Sequence, residues 1–419
     1  MKVLIISHTV FSASESMGKT LSTYFSTFSP DELAQFYIHS QVPTSEICHN
    51  YYRITDKEAL LSVLGRKCGA QYKAENIELG RVDARTDRGM TASLYQKARK
   101  RTPLIYLARN LWWRLAQWNT PAFRHWIDDF NPDCVFFASG DYAFMYDIAR
   151  SIASYRKIPL YVSCMDDYYT YNKNSGSLLG RLQHRLFMKS VRKTMDYAST
   201  IFCICEKMSE DYATLFQKRC VTVHTPCSIS HPLELQKKAK ISYLGNLGLQ
   251  RDKSLIAIGQ ALKSLGLQPD CIDVYSTESR REILDAFSEE NGIRFHGAVS
   301  AAEVLEIMGQ SLAIIHTESF DETIRQSVRY SVSTKIADSL ASGTCIFAYG
   351  PEEIASISYL NEAGAAVCCT KPEELENQLK QLIQNDMLRA QTVKNALRLA
   401  QVNHAPSVTP AILRAELNR

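Results

Sequence analysis

The segment at residues 330–343, YSVSTKIADSLASG, contains side chains well suited to bind an anion. Ser333 and Thr334 come directly before a predicted helix that begins at Lys335, and a helix start leaves backbone N–H groups free to bind phosphate. Lys335 adds a positive charge, and Asp338 lies one helical turn further along the same side. This set suits a nucleoside diphosphate, with ribose hydroxyls at Asp338. A capped surface helix with a Lys–Asp pair explains the same residues, so both interpretations stay open here.

A pair of carboxylates, Asp166 and Asp167, follows a predicted buried strand from Leu160 to Cys164. A carboxylate at the end of a strand can orient or deprotonate a hydroxyl group as a general base. The structural alternative is a solvated loop in which an aspartate forms an Asx turn. We therefore treat the two aspartates as candidate catalytic residues.

The loop after the first predicted strand contains ASESMGKT at residues 13–20. This stretch fits a relaxed phosphate-binding loop with Ala in the first glycine position, but five residues separate it from the strand. A nucleoside triphosphatase is therefore the less favoured interpretation. Gly18 and Lys19 remain candidates for contact with phosphate, and His8 is a further candidate near the site.

Length and composition limit the class of protein. A prior of about 150 residues per domain predicts two to three domains for 419 residues, and 45% hydrophobic content supplies a large core. The net charge of +4 is too small to indicate nucleic-acid binding. Twelve cysteines without a CxxC pair indicate free thiols in a reducing compartment. The N-terminus is predicted to be a strand rather than a signal peptide, so we expect a cytoplasmic protein.

A basic stretch at residues 88–127 contains eight Lys or Arg residues and no Asp or Glu. It also contains all the tryptophans of the chain: Trp112, Trp113, Trp118 and Trp126. Basic residues beside interfacial aromatic side chains suit anionic lipid headgroups. The alternative is an ordinary basic helix that packs its tryptophans inward. A nucleic-acid interface is less favoured, because no recognised module accompanies the charge.

Short apolar strands alternate with helical patterns along the whole chain, and the alternation restarts at Lys240 after a polar segment. The second half includes a predicted helix from Arg280 to Asn291. This order predicts an α/β fold with two doubly wound, Rossmann-like sheets that face each other across a cleft. The expected division is an N-terminal domain at 1–227, a linker at 228–240, a C-terminal domain at 241–400 and a tail at 401–419 packing back on the N-terminal domain.

Five segments, in the correct order, resemble glycosyltransferase family 4 (group 1), which has the GT-B fold. In the C-terminal half they are YLGNLGLQRDKSL (243–255), IRFHGAVSAAEVLEIM (293–308), LAIIHTESF (312–320) and STKIADSLASG (333–343). In the N-terminal half, IFCICEKMSEDY followed by VHTP (201–226) resembles the last strand, its helix and the hinge. The resemblance spans roughly the whole chain and is weak from Phe36 to Phe130.

The resemblance implies roles for residues that bind the donor nucleotide. Lys253 matches a lysine that faces the donor diphosphate in the family. Asn246 stands where the family usually has an arginine, and we expect Arg251 to supply the missing positive charge. Thr334 and Lys335 match a Ser-Lys pair that binds the diphosphate in the family, and Ser333 is expected to bind it as well. Asp338 matches a ribose-binding glutamate. Gly18 is expected to reach the same diphosphate from the N-terminal half.

The resemblance also implies catalytic residues, with departures from the family pattern. Tyr330 stands where a first motif glutamate is common, and Glu318 is the nearest carboxylate that could replace it. An apparent insertion with Arg325 and Arg329 separates the two. On the N-terminal side, Met165 replaces a histidine, and Asp166 and Asp167 are expected to face the reacting sugar.

The implied activity is transfer of a sugar from a nucleotide-sugar donor to a hydroxyl acceptor, with retention and without a metal or a cofactor. If residues 88–127 contact an anionic membrane, the acceptor is a lipid-linked or surface-glycan intermediate, and the protein is peripheral at the inner face of the membrane. A sugar-nucleotide epimerase of the same fold stays open. So does an inactive GT-B subunit that partners an active transferase, because Asn246, Tyr330 and Met165 depart from the motifs.

Overall fold

The computed structural model describes residues 1–12, 16–43, 45–73, 102–170, 176–233, 235–236 and 238–419, without the side chain of Ser16. The chain divides into two units. The first contains Met1–Val223 together with Pro410–Arg419, and the second contains His224–Thr409. Residues 228–240, predicted as a linker, therefore lie within the second unit.

Eight strands among the described residues form the sheet of the first unit: β1 (Val3–Ser7), β2 (Leu33–Tyr37), β3 (Asn50–Arg53), β4 (Ala70–Lys73), β5 (Cys134–Ala138), β6 (Leu160–Cys164), β7 (Thr200–Cys203) and β8 (Arg219–Thr222). Their order is β4-β3-β2-β1-β5-β6-β7-β8. All neighbours pair in parallel except β3 and β4, which are antiparallel. Every residue of β1, β2, β5 and β6 is buried, as expected for strands covered on both faces.

The helices described in the first unit flank this sheet. They are α1 (Ser16–Tyr24), α2 (Asp56–Ser62), α3 (Pro103–Leu115), α4 (Pro121–Phe130), α5 (Ala143–Arg156), α6 (Leu178–Tyr197) and α7 (Glu206–Phe216), with a 3₁₀ turn at Pro30–Glu32. Phe25, just after α1, packs edge to face on Phe136 of β5, with ring centroids 5.0 Å apart.

The second unit contains a six-stranded sheet with parallel neighbours throughout. Its strands are β9 (Ile241–Leu244), β10 (Ile272–Tyr275), β11 (Ile293–Gly297), β12 (Ala313–Thr317), β13 (Cys345–Tyr349) and β14 (Val367–Cys369). Their order is β11-β10-β9-β12-β13-β14. The strand order reverses between β9 and β12, and open α/β sheets bind ligands at the carboxyl ends of the strands at such a switch point.

The helices of the second unit are α8 (Arg251–Leu265), α9 (Arg281–Leu284), α10 (Ala301–Gln310), α11 (Glu322–Val328), α12 (Lys335–Ala341), α13 (Ala355–Glu362), α14 (Leu375–Gln384) and α15 (Asp386–Leu399). 3₁₀ turns lie at Glu289–Asn291 and Pro372–Glu374, and a π-helical turn, Ala400–His404, precedes the final helix α16 (Val408–Leu417). Leu413 and Leu417 of α16 are buried in the core of the first unit. Arg219 of β8 fixes this end of the chain through two bonds to Glu416, at 2.7 and 3.0 Å.

The predicted two-sheet α/β fold is confirmed, but the helix predicted from Arg280 to Asn291 is wrong. It is the short helix α9 followed by the separate 3₁₀ turn at Glu289–Asn291. Ser288 begins that turn by accepting a hydrogen bond from the backbone of Asn291 at 3.3 Å. Because Ser288 offers its hydroxyl to a nearby N–H, it starts a new turn there instead of continuing the helix.

Gly259 of α8 should be intolerant of any side chain, because the helix touches the loop before β11 at this residue. A Cβ atom on Gly259 would lie 2.2 Å from the carbonyl oxygen of Asn291. We expect Gly259→Ala to lower the free energy of unfolding of the second unit by about 2–3 kcal/mol, as overpacking does. Gly140→Ala is the control, since its Cβ would meet no atom within 4 Å. Urea unfolding followed by circular dichroism measures both, and equal stabilities of the two variants would contradict the expected clash.

Candidate functional site

Three charged residues of the second unit gather around the carboxyl ends of β9 and β12. Arg251 is the first residue of α8, Glu318 directly follows β12, and Lys335 is the first residue of α12. The Lys335 ammonium donates to the carbonyl of Leu244, the last residue of β9, at 3.0 Å. All three were candidates from the sequence, and the structure brings them to the switch point of the sheet.

Arg251 and Glu318 form a buried, two-pronged ion pair. The Nη2 atom of Arg251 lies 2.8 Å from Oε1 and 3.0 Å from Oε2 of Glu318, and Nε lies 3.2 Å from Oε2. Only 1% of the Glu318 side chain and 17% of the Arg251 side chain are exposed. Arg251 Nε also donates to the carbonyl of Thr317 at 3.2 Å. The pair therefore joins the start of α8 to the end of β12.

Charge and burial compete at this ion pair. Burial raises the pKa of Glu318, and the charge and hydrogen bonds of Arg251 oppose that rise. Burial alone would lower the pKa of Arg251, but Glu318 more than offsets it, so the net shift of the Arg251 pKa is upward. The carboxylate of Glu318 is enclosed and bonded to Arg251. In this arrangement it orients the guanidinium, and its predicted catalytic role stays a prediction.

Lys335 gives the group a net positive charge. Partial burial lowers the pKa of Lys335, and the nearby positive charge of Arg251 lowers it further. With Arg251 paired to Glu318, the three side chains together carry one net positive charge. An anion bound at this edge would relieve the repulsion between the two cations, since opposite charges a few ångströms apart attract.

The glycine-rich turn between β9 and α8 uses Asn246 and Lys253 for its own geometry. Asn246 Oδ1 accepts from the backbone N–H of Gly248 at 2.5 Å, and its carbonyl accepts from the hydroxyl of Tyr243 at 2.6 Å. Lys253 is exposed, and its ammonium donates to Gln250 Oε1 at 2.9 Å. Gln250 itself lies in the left-handed region, with φ of 58°. The structure thus places Asn246 and Lys253 beside Arg251, each bonded within the turn.

Asp338 ties α12 to the segment that enters the second unit. Its Oδ1 atom accepts from the backbone N–H of Ser228 at 2.6 Å and from the Ser228 hydroxyl at 2.8 Å. Before it, Ser333 Oγ accepts from the Lys335 N–H at 3.4 Å, and Thr334 occupies the exposed cap position. The ribose-binding role of Asp338 and the phosphate-binding roles of Ser333 and Thr334 stay predictions.

The apparent insertion before α12 is the helix α11. Asp321 caps it by accepting from the backbone N–H groups of Thr323 and Ile324, at 3.0 and 3.2 Å. Arg325 pairs with Glu353 at 2.8 Å. Tyr330 is buried, with the Arg329 guanidinium 4.5 Å from its ring centroid.

His316 of β12 is a polar residue near this cluster that the sequence reasoning missed. Its Nε2 atom lies 2.9 Å from the hydroxyl of Ser356. Partial burial lowers the pKa of His316 to about 3, and the charge of Arg251 contributes to that shift. The residue is therefore a neutral imidazole within the sheet. A lone histidine inside the apolar run LAIIHT was the signal that could have identified it.

In the first unit, Asp167 organises the loop after β6. It accepts from the backbone N–H groups of Tyr169 and Thr170 at 3.1 and 2.9 Å, and from the Tyr212 hydroxyl at 2.8 Å. The Thr170 hydroxyl also donates to it. Asp166 Oδ1 accepts from the Asp167 N–H at 3.1 Å. Asp167 thus has the Asx-turn role that the sequence offered as the alternative, and the catalytic role of both aspartates stays a prediction.

Gly18 lies in the first turns of α1, where a Cβ atom would be 2.4 Å from the carbonyl oxygen of Val10. Its lack of a side chain therefore lets the helix pack on the segment after β1. Residues 13–15 of the same loop lie outside the described residues. His8 follows β1, with its ring stacked on Tyr142 at 5.4 Å and the Arg109 guanidinium 3.5 Å from its Nε2 atom.

Two of the four tryptophans expected at a membrane surface pack inward, and Trp112 and Trp118 are half-buried. Trp113 and Trp126 are almost fully buried, and their indole N–H groups donate to Asp56 at 2.7 Å and to Asn50 at 2.6 Å. Arg109, one of the basic residues of the same stretch, pairs with Asp56 at 2.9 Å. Residues 88–101 lie outside the described part of the chain. The membrane contact expected for residues 88–127 stays a prediction.

The comparisons with known proteins agree with the fold. Residues 260–408 match a family model described as glycosyl transferase-like. HepE from Anabaena, solved with UDP, is 11% identical, with a TM-score of 0.59 and 100% of both chains covered. A trehalose-phosphate synthase (UDP-forming) from Burkholderia xenovorans, solved with glucose-6-phosphate, is also 11% identical, with a TM-score of 0.58 and 100% of both chains covered.

A sucrose-phosphate synthase from Thermosynechococcus elongatus is 9% identical, with a TM-score of 0.57 and coverage of 100% of this chain and 98% of the other. At such identities, the likeness to solved structures establishes the fold alone. No protein of curated function matches the sequence significantly. Among the described residues, every helix is too short or too polar to cross a bilayer.

The half-buried His316 should make the second unit sensitive to acid. Its pKa is lowered from 6.5 in the folded protein, so below that pH the unfolded chain takes up a proton that the folded chain does not. Stability is therefore lost as the pH falls, by roughly 2 kcal/mol between about pH 6.5 and pH 5. We expect His316→Gln to reduce this slope, and exposed His231→Gln to leave it unchanged. Thermal unfolding at several pH values is the measurement, and parallel slopes for wild type and His316→Gln would contradict the assignment.

Proposed function

We propose that the chain, a glycosyltransferase of the GT-B fold similar to group 1 enzymes, binds the nucleoside diphosphate of a nucleotide-sugar donor in its second unit, at Arg251 and Lys335. The sugar would pass to a hydroxyl group of an acceptor. The observation that carries the proposal is the position of these two cations at the switch point between β9 and β12. Binding of UDP by the Anabaena protein of the same fold supports it.

Lys335 is the residue best suited to the diphosphate. Its ammonium is held by the single carbonyl of Leu244, so two further N–H bonds of the group can point to an anion. Negative charge grows on a departing nucleoside diphosphate, and a positioned cation stabilises it most in the transition state. We therefore propose a reaction that uses Lys335 and Arg251 in place of a metal ion. Retention of configuration is proposed from the family resemblance.

The remaining donor contacts follow the sequence expectations. We propose that Ser333 and Thr334 donate hydrogen bonds to the donor phosphates. Lys253, Asn246 and Gly18 are proposed to contact the same diphosphate from further away. Asp338 would bind the ribose through its second carboxylate oxygen, since its Oδ1 atom already accepts from Ser228. Glu318 acts in this proposal by orienting Arg251, in addition to any contact with the sugar.

On the acceptor side, we propose Asp166 as the residue to orient or deprotonate the hydroxyl group, with Asp167 holding the loop in shape. The bonds of Asp167 to Tyr169, Thr170 and Tyr212 support this division. The acceptor is proposed to be a lipid-linked or surface-glycan intermediate, met at the inner face of a membrane.

A panel of nucleotide sugars tests the function. Incubation of the purified protein with UDP-, GDP- and ADP-sugars, with and without glycan or lipid-linked acceptors, should release a nucleoside diphosphate when the right donor and acceptor are both present. An epimerase would convert the sugar with no added sugar acceptor. An inactive partner subunit would neither bind nor turn over any of the donors. Either of those results would contradict transfer by this chain.

Lys335→Ala should weaken binding of UDP, the nucleotide bound by the similar Anabaena protein. Loss of a charge-assisted contact predicts a rise in Kd of about ten- to a hundredfold. Lys263→Ala is the control, because Lys263 lies at the opposite end of α8. Lys253→Ala should have a smaller effect than Lys335→Ala, since the Lys253 ammonium already donates to Gln250 Oε1 within the turn, at 2.9 Å. Titration calorimetry measures the three variants, and an unchanged Kd for Lys335→Ala would remove Lys335 from the site.

A further inference from the structure

Two helices of the first unit expose leucines on their outer sides. We define the leucine face as Leu104, Leu111 and Leu115 of α3 with Leu178, Leu182 and Leu186 of α6. Their exposed fractions lie between 43% and 79%. The two helices pack against each other, so the six side chains lie on neighbouring elements. Exposed leucines clustered in this way mark a contact surface in a protein of this kind.

The spacing of these leucines shows that they form a side of each helix. In α6 they recur every four residues, and in α3 they are seven and four residues apart, so each set projects to one side. The opposite side of α6 is fixed against α5, where Ser190 donates to the Ala143 carbonyl at 3.0 Å and Phe187 packs on Tyr146 at 5.6 Å. The leucines therefore cannot turn inward without unpacking α6.

Cations accompany the leucines. Arg181, Arg185 and Lys189 of α6 are exposed on the same outward side of the helix, and Arg114 is exposed on α3. In the sequence, residues 168–195 include six Lys or Arg residues and no Asp or Glu. Residues 88–115, which end with α3, likewise contain no acidic residue. The leucine face thus combines apolar side chains with cations, and the one acidic residue of α6, Asp196, pairs with Arg192 at 3.6 Å near the end of that helix.

We propose that the leucine face docks on a bilayer with anionic headgroups, with the leucines inserted among the acyl chains and the arginines at the phosphates. Amphipathic helices with leucines beside Lys and Arg bind such interfaces through both apolar burial and electrostatic attraction. A second copy of this chain is a poorer partner, since a self-paired face would bring like charges together. A bilayer supplies the complementary negative charge next to an apolar layer. This deepens the proposed function, because a lipid-linked acceptor is met at that surface.

Sedimentation of the full chain with vesicles tests the proposal. We expect at least tenfold stronger binding to phosphatidylcholine vesicles that contain phosphatidylglycerol than to phosphatidylcholine alone. Added salt should weaken the binding, because it screens exposed charges. The double variants Leu182→Gln/Leu186→Gln and Arg181→Gln/Arg185→Gln should each lose at least tenfold. All four side chains are exposed, so thermal unfolding should show that the fold is kept.

Matched controls come from the second unit. Leu305→Gln/Met387→Gln removes exposed apolar side chains, and Lys263→Gln/Lys380→Gln removes exposed charges, so both should bind vesicles as the wild type does. Failure of the wild type to bind anionic vesicles would overturn the proposal, as would wild-type binding by the leucine variant. A third outcome would also overturn the proposal. If the wild type binds no vesicles but forms a dimer in gel filtration, and only the leucine variant abolishes that dimer, the leucine face binds a second copy of the chain instead. The vesicle test needs no donor, so its failure leaves the nucleotide-binding test of the proposed function unaffected.

Discussion

The ion pair between Arg251 and Glu318 is the constraint on which the charged edge of the second unit depends. It fixes the first residue of α8 to the residue after β12, and so sets where the glycine-rich turn after β9 must end. A buried pair of this kind is costly to break, about 3–5 kcal/mol when one partner is removed. The ion pair therefore does not show that the fold is more stable than it would be with apolar residues at these positions. It does show that the Arg251 guanidinium is held in one orientation.

The groups around this ion pair keep the edge positive without leaving a buried charge unpaired. His316 stays neutral, because burial and the charge of Arg251 both oppose its protonation. Lys335 is the remaining cation, and it is held by a backbone carbonyl rather than by a carboxylate. A site of this form can accept a diphosphate without first breaking an ion pair, which agrees with the proposed role in donor binding.

The first unit separates its buried polar groups from its exposed apolar ones. Asp167, Arg109 and Trp113 satisfy their hydrogen bonds inside the unit, as buried polar groups must. The leucine face is exposed instead, with cations beside it. Among the residues that suggested a membrane contact in the sequence, Trp113 and Trp126 pack in the core, whereas Arg114 is exposed on α3 beside the leucines that project outward. That division depends on which side of each helix faces the sheet.

The sequence by itself determined the α/β alternation and the two sheets, and it indicated the segments of the proposed donor site, because strand and helix periodicity, glycine turns and short motifs are local. It also indicated Lys335 and Arg251 as candidate cations, and their binding role stays a proposal. It could not determine that Glu318 pairs with Arg251, 67 residues away, or that Asp338 bonds Ser228, 110 residues away. Nor could it show that Trp113 faces inward while Leu111 faces outward. Such pairings depend on the order of strands in the sheet and on the rotation of each helix, which only packing of the whole unit decides.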